Sequence, residues 1–364
     1  MKVVHLLPAL EQGGVETVVC DLVKALDGGL PCRNGEMERW ESVVVSKGGR
    51  LVKNVEAAGG RHVALDLKSK NPLTYFTRAG KLRKILRAEK PDLVCVHSRV
   101  PAWLFVWANR GLGLKWISYA HGANSVSRYS EVMTRGDLVV VPSKFLADYL
   151  KANYKIGDAK IRIIPNSVDV KRFDPDGIDR AFVEQKRREW GIREGDHVTM
   201  AIGRITPVKG LDGLIRDFAR PVAEDRDSTA CSRKLVIVGG ADRHHQKYLE
   251  SLKKLASAVH LHLSSPPVVF AGPQENVPEC ISIADEIVSA NTMKPETFGL
   301  SVIEAYAMNK PVRVARRFGG VAEVMEAVEK STRPTLREAV LDLYGPELWA
   351  KRTLTAYREA VNMV

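Results

Sequence analysis

At 364 residues the chain is too long for one ordinary core and is expected to form two domains, while 45% apolar and 27% charged residues describe a globular protein and exclude a disordered or fibrous one. No apolar run is long enough to cross a bilayer, and MKVVHLLPAL is too short, and too soon followed by Glu11, for a signal peptide; a cytoplasmic protein is expected. The net charge of +12 sits in the first half, where residues 1–170 carry 26 Lys and Arg against 16 Asp and Glu, a balance that suits an anionic membrane or acidic glycolipid; with no recognised module or aromatic interleaving, nucleic acid is not expected as a partner.

Lys2 to Leu7 reads as a buried strand closed by Pro8, after which Gly13-Gly14 opens a helical pattern through Val18, Leu22 and Leu26. A strand, a glycine turn and a helix N-terminus let a phosphate or sugar rest against backbone N–H groups. The three glycines of a dinucleotide fingerprint are missing, so hydride chemistry is not supported. Cys20, Cys32, Cys95, Cys231 and Cys280 are odd in number and lack C-x-x-C spacing, which indicates reduced thiols rather than disulfides or a zinc site.

Further strands are predicted at Ser42–Val45, Arg61–Leu65, Leu93–Val96, Lys115–Tyr119 and Leu138–Val141, with helical patterns between most of them. Such alternation gives a parallel sheet covered on both faces, whose ligands bind beyond the carboxyl ends of the strands. Two of those ends carry His97-Ser98 and His121-Gly122. Both ends are of interest, although a strand-end histidine needs no catalytic duty, and His97 is expected to be structural. Between Leu73 and Lys90, an apolar stripe of Tyr75, Ala79, Leu82 and Leu86 is surrounded by basic residues, with Glu89 the only acid. The same pattern fits a helix that covers the sheet with a solvated outer face and a helix that rests on an anionic membrane. Ser143 is placed to cap the next helix, and the segment IRIIPNSVDVKRFDP follows.

The second domain opens with a strand from His197 to Ile202, followed by Gly203, Arg204, Lys209 and Gly210. Strands follow at Leu235–Val238, Val268–Ala271 and Glu286–Ser289. From Met293 to Val314 a loop with Glu296, Phe298 and Gly299 leads into a helix beginning at Leu300 and then a β-branched run. Unpaired amides at such a helix start, with the positive end of its dipole, make an anion site. Glu296 and Glu304 flank it, and carboxylates repel phosphate; they suit the paired hydroxyls of a sugar attached to one. A last helix is predicted from Pro346 to Val361.

The arrangement P-E-x-F-G-x-x-x-x-E-A-x-A around Glu296 and Glu304 resembles the signature of the retaining glycosyltransferases of family 4. G-G-x-E at Gly13, I-P-N-S-V-D from Ile164 to Asp169, where the family passes from its first domain to its second, G-R-x-x-x-x-K-G from Gly203 and FGGVAEV at Phe318–Val324 are similar to further motifs of that family, in the same order. The resemblance implies an α/β GT-B fold of two Rossmann-like doubly wound domains facing a central cleft that holds the nucleotide. Residues 1–168 would bind the acceptor and residues 169–364 the nucleotide sugar, with the last helix, about 346–361, packing back on the first domain.

By the same resemblance Arg204 and Lys209 grip the donor diphosphate, backbone at Phe298, Gly299 and Leu300 meets the phosphates, and Glu304 holds the ribose. Glu296 and His121 lie at the sugar, and Gly13 and Gly14 face the phosphates and acceptor. Catalysis is assigned to His121, Glu296, Arg204 and Lys209, with no metal and no cofactor. The expected donor is a UDP-sugar rather than a GDP-sugar. The expected acceptor is a glycan or glycolipid of the lipopolysaccharide or another envelope polymer, met at the inner face of the cytoplasmic membrane. A nucleotide-sugar epimerase, a phosphorylase or a non-catalytic relative is the alternative. Departures from the pattern are Ser167 and Asn309 where glycine is usual, Arg316-Arg317, and a region after Glu323 that runs directly into helices, leaving the second sheet a strand short.

Overall fold

Short buried runs of Val, Ile and Leu, punctuated by glycine and separated by amphipathic stretches, fold into parallel strands alternating with helices. The computed structural model describes residues 1–11, 13–27, 30–31, 37–218, 233–259, 267–291 and 293–363. It divides into two compact units, Met1–Ser167 with Tyr344–Val364, and Val168–Leu343. Cys20, Cys95 and Cys280 are free thiols, and Cys32 and Cys231 lie outside the described residues.

The strands of the first unit are β1 (Lys2–Leu6), β2 (Leu30–Pro31), β3 (Met37–Glu38), β4 (Glu41–Ser46), β5 (Arg61–Ala64), β6 (Leu93–Val96), β7 (Trp116–Tyr119), β8 (Leu138–Val141) and β9 (Ile161–Ile163). β2 and β3 form a small antiparallel pair, and the other seven make one parallel sheet in the order β5-β4-β1-β6-β7-β8-β9. Its helices are α1 (Gly14–Asp27), α2 (Val52–Ala57), α3 (Tyr75–Glu89), α4 (Arg99–Ala108) and α5 (Lys144–Asn153). On one face α3 and α4 bury Ala79, Leu82, Leu86 and Phe105 against Val4, Val43 and Val94. α3 therefore covers the sheet, as its apolar stripe requires. Ser143 caps α5 by accepting a hydrogen bond from Leu146 N at 3.2 Å. Strand β9, read in the sequence only as a crossing segment, is a short edge strand with Ile163 46% exposed.

The second unit contains α6 (Arg180–Glu189), β10 (His197–Ile202), α7 (Leu211–Phe218), β11 (Arg233–Val238), α8 (Gln246–Val259), β12 (Val268–Gly272), α9 (Val277–Ile283), β13 (Glu286–Ser289), α10 (Leu300–Ala307), β14 (Val312–Val314), α11 (Gly320–Glu329) and α12 (Leu336–Tyr344). Its parallel sheet runs β12-β11-β10-β13-β14. Asn309 takes the left-handed conformation, φ 54°, and turns the chain from α10 toward β14. No described strand follows β14, which ends the sheet on that side. The final helix, α13 (Pro346–Asn362), belongs to the first unit, where Trp349, Leu354 and Tyr357 pack with Val18, Leu22 and Tyr119.

Candidate functional site

Three adjacent strands of the second unit reach glycine at their carboxyl ends, β10 at Gly203, β11 at Gly239 and β12 at Gly272. The backbones interlock there: Gly203 N donates to Val238 O at 3.0 Å and Gly239 N to Gly272 O at 2.9 Å. The loop leaving β10 carries Arg204, which is exposed, and Lys209 at the end of a single 3-10 turn.

The loop after β13 supplies the opposing groups. Buried Asn291 accepts from Met293 N and Lys294 N at 3.2 and 3.3 Å and donates from Nδ2 to Lys294 O at 2.6 Å, closing a turn on itself. The chain then passes Glu296, whose carbonyl accepts from Gly320 N at 2.8 Å and which forms a lone parallel bridge with Gly319. Gly319 has φ 68°, and a Cβ there would sit 2.6 Å from Glu296 O, so only glycine lets this turn clasp the Glu296 loop. Gly299, at φ 92°, caps the start of α10, and the Phe298 ring beside it is buried. At Phe298 and Gly299 the loop therefore offers a ligand backbone rather than side chains. The first amides of α10, at Leu300 and Ser301, have no carbonyl one turn earlier in the helix to bond.

These pieces converge. Gly203, Arg204, Lys209, Ser289, Ala290 and Ser301 line a single depression, so both cations stand beside the first turn of α10. Lys209 also forms an ion pair with Glu296, from which it is separated by 87 positions in the chain. The sequence identified both residues but not their pairing. Burial, and then the neighbouring Arg204 guanidinium, push the Lys209 ammonium down to about 8, while the Glu296 carboxylate works in the opposite direction.

One turn into α10, Glu304 occupies an apolar environment. Its side chain is not fully covered, yet its carboxyl group is desolvated enough to be pushed up to about 7, an effect that Arg172 opposes. No described side chain donates a hydrogen bond to this carboxyl. Such a group is costly unless something supplies donors. Arg172 is held in a segment tied down by Arg337, which donates to Val170 O at 3.2 Å and to Ala307 O at 2.8 Å. Arg337 also pairs with Asp174 at 3.3 Å, and neither arginine was signalled by the sequence, because their partners are carbonyls and a carboxylate far away in the chain or on irregular loops.

The remaining candidates lie in the first unit. Gly13 and Gly14 begin α1, where Gly13 O accepts from Thr17 N and Thr17 Oγ1, both at 3.1 Å. His121 follows β7 and is bonded through Nε2 to His97 Nδ1 at 3.1 Å; His97 in turn contacts His5. Desolvation holds His121 down to about 4 and His5 to about 3, so both are neutral near pH 7. Among the described residues no group of three or more His, Cys, Asp or Glu is arranged to hold a metal, and no described helix is long and apolar enough to cross a membrane.

With this geometry in hand, the chain can be set beside known proteins. The sequence profile of Glycosyltransferase Family 4 matches residues 12–172, and that of Glycosyl transferases group 1 matches residues 182–332. Among curated proteins, the D-inositol 3-phosphate glycosyltransferase of Corynebacterium jeikeium is 28% identical over 306 residues, covering 78% of this chain and 68% of that protein. The enzyme of the same name from Salinispora arenicola is 29% identical over 229 residues, or 62% of this chain, and the match spans 48% of its own length, about half.

Solved structures with the same fold include a glycosyltransferase from Rickettsia africae, with TM-score 0.80 and 23% identity, covering 100% of this chain and 99% of that one. Anabaena HepE in complex with UDP and glucose has TM-score 0.78 and 16% identity, covering 98% and 99%. WaaG, a glycosyltransferase involved in lipopolysaccharide biosynthesis, has TM-score 0.63 and 17% identity, covering 99% and 95%. At these identities the structural likeness speaks for the fold alone, which is that of two parallel-sheet α/β units of the GT-B class.

Proposed function

The chain belongs to the glycosyltransferases that join a family 4 domain to a group 1 domain, and from that premise we propose that it transfers a hexose-type sugar from a nucleoside diphosphate sugar to a glycan or glycolipid, with retention of anomeric configuration. The observation that carries this reading is the depression in which Arg204 and Lys209 stand beside the first turn of α10. A departing diphosphate gains negative charge as the glycosidic bond stretches. Two fixed cations and a helix N-terminus stabilise that charge where it develops, so no metal is required.

Glu304, short of hydrogen-bond donors, accepts from the ribose hydroxyls in its ionised form. Glu296 is held by Lys209 and orients the donor sugar. A carboxylate neutralised by an ammonium group is a poor nucleophile, unlike the free one in a retaining glycosidase that lies about 5–5.5 Å from its acid partner. Transfer then proceeds on one face of the sugar.

UDP is the favoured nucleotide, as in HepE, and the favoured acceptor belongs to lipopolysaccharide or another envelope glycan at the inner face of the cytoplasmic membrane. In support, Leu73, in the turn before basic α3, and Phe76, in its first turn, are 88% and 64% exposed. The test is a product assay with a panel of UDP- and GDP-sugars, with and without envelope glycolipid, and with proton NMR of the new anomeric centre. A UDP-sugar with glycolipid should give one retained product. An inverted product, or a new sugar nucleotide formed without any acceptor, contradicts the proposal, the latter in favour of an epimerase.

A further inference from the structure

Two departures from the family pattern meet in the second unit. Asn309 stands where glycine is usual, and the chain after Glu323 goes directly into helices, of which α12 is one. The backbone of Asn309 ends α10 in the left-handed conformation, and its Oδ1 accepts from Arg337 N at 2.9 Å. That amide lies in the first turn of α12, where backbone N–H groups have no partner within the helix. Thr335 and Glu338 close a capping box on the same turn: Glu338 N donates to Thr335 Oγ1 at 3.1 Å, and Thr335 N to the Glu338 carboxylate at 3.2 Å. Asn309 therefore ends one helix and caps another, which glycine could not do.

The Arg337 side chain completes the joint. It donates to Ala307 O on α10 at 2.8 Å, and to Val170 O at 3.2 Å and Phe173 O in the segment that opens the second unit, and it pairs with Asp174 Oδ1 at 3.3 Å. Ala307 lies one turn beyond Glu304. Val170 and Phe173 flank Arg172, whose Nη2 donates to Glu275 O at 3.0 Å in the loop after β12, and whose guanidinium carbon lies 5.3 Å from the centre of the Phe173 ring. One side chain thus grips both the helix that carries Glu304 and the residues on either side of Arg172. It can do so because the planar guanidinium fork carries five N–H donors.

Charge makes that placement matter. Around this corner stand Arg172 and Asp174 of the opening segment and Arg337 of α12, with Glu275 present through its carbonyl. Asp174 is taken up by Arg337, and Glu329 and Arg317, which face Tyr306 on the same helix as Glu304, pair with each other at 2.8 Å. Among the described residues, Arg172 is the cation whose field reaches the Glu304 carboxyl and favours its ionised form against the cost of burial.

We infer that Asn309 and Arg337 are positioning residues: they fix the Arg172 segment to the end of the helix that carries Glu304, so that the Arg172 charge holds that carboxyl ready to accept from a ribose diol. The part played by ribose rests on the proposed role of Glu304 in donor binding, whereas the control of Glu304 by Arg172 does not.

The test is a carbon-13 NMR titration of the glutamate carboxyls of the full chain without substrate, with the Glu304 signal identified by its loss in Glu304→Gln. Arg172→Gln should raise the Glu304 midpoint by about one pH unit, and Arg172→Lys, which keeps the charge, by less. Asn309→Gly removes no charge and suits the left-handed backbone, yet it and Arg337→Gln should each raise the midpoint, and neither should raise it further in an Arg172→Gln background. If Arg337→Gln does not fold, Asn309→Gly gives the same reading. Uridine, which has a ribose but no phosphate, should bind Arg172→Gln about fivefold more weakly at pH 7, as the ionised fraction of Glu304 falls from about one half to about one tenth. A shifted midpoint with unchanged uridine affinity would support the joint and overturn Glu304 as the ribose holder. The inference itself is overturned by a midpoint that Arg172→Gln does not move, or by Asn309→Gly and Arg337→Gln variants whose midpoints stay at the parent value, whatever their thermal stability. It is also overturned by an Arg337→Gln shift that persists without Arg172, which would be the direct effect of the Arg337 charge.

Discussion

In the second unit, Lys209 and Glu296 keep full charges paired beside solvent, with side chains 32% and 17% exposed, whereas in the first unit His5, His97 and His121 form a string without charge. The contrast follows from what each place must do. On the proposed function the charged site must meet a diphosphate with cations as well as helix amides, and cations survive only where water or a counter-ion reaches them. Orientation of a ring needs hydrogen bonds alone, and these are better defined when water is excluded. The charged site should fail through lost chemistry and the neutral string through lost stability in acid.

Lys209→Ala is the sharpest way to break this comparison. On the proposed function it should lower kcat by about 10²–10³-fold, the loss typical of removing one stabiliser of transition-state charge, with the melting temperature little changed. Lys209→Arg should recover part of that rate. Steady-state kinetics on both variants check this, and an unchanged kcat would strip Lys209 of its role.

Acid stability is the next largest effect. The folded protein holds His5 near 3, His121 near 4 and His97 well below its ordinary value, whereas the unfolded chain binds protons at about 6.5. Between those limits the unfolded state carries more protons, so stability is lost as pH falls from about 6.5 toward 4. The slope approaches about 1.4 kcal/mol per pH unit for each histidine. Thermal melts across that range should show a steep fall, and His97→Phe should flatten it.

How much of this was legible in the sequence depended on how local each signal was. Short apolar, largely β-branched runs bounded by polar residues or glycine gave β6, β8, β10 and β13 residue for residue, because such stretches are too short for a helix of ordinary length. β9 was missed because it is three residues of half-exposed edge, IRI, next to a proline. Glycines announced the turns at Gly203, Gly299 and Gly319, since positive φ leaves few alternatives. The Lys209–Glu296 pair and the histidine string were illegible, because both are made by strand order. Nothing in the spacing of His5, His97 and His121 says that β1, β6 and β7 lie side by side.

Smaller effects sharpen the contrast. Donor affinity should follow a bell: Glu304, raised to about 7, must be ionised to accept ribose hydroxyls, and Lys209, lowered to about 8, must be protonated to hold diphosphate. At pH 6 a group titrating near 7 is about nine-tenths protonated, so donor KM should rise by about tenfold there. Glu304→Gln should weaken binding at neutral pH and abolish that acidic limb. The smallest effect is expected at Arg162, whose Nε donates to Glu359 on α13 at 2.8 Å with both side chains about one-third exposed. Arg162→Ala should cost no more than about 1 kcal/mol in a denaturant titration.

The central claim is that Arg204, Lys209 and the start of α10 hold one pyrophosphate while Glu304 holds its ribose. Calorimetric titration with UDP, UMP and uridine tests it most directly, in the parent protein and in an Arg204→Ala/Lys209→Ala double variant. The account predicts one UDP per chain, much weaker binding of uridine, and a loss of at least about tenfold for UDP in the double variant with little change for uridine. Equal affinity for UDP and uridine, or UDP binding unaffected by the double substitution, would contradict it.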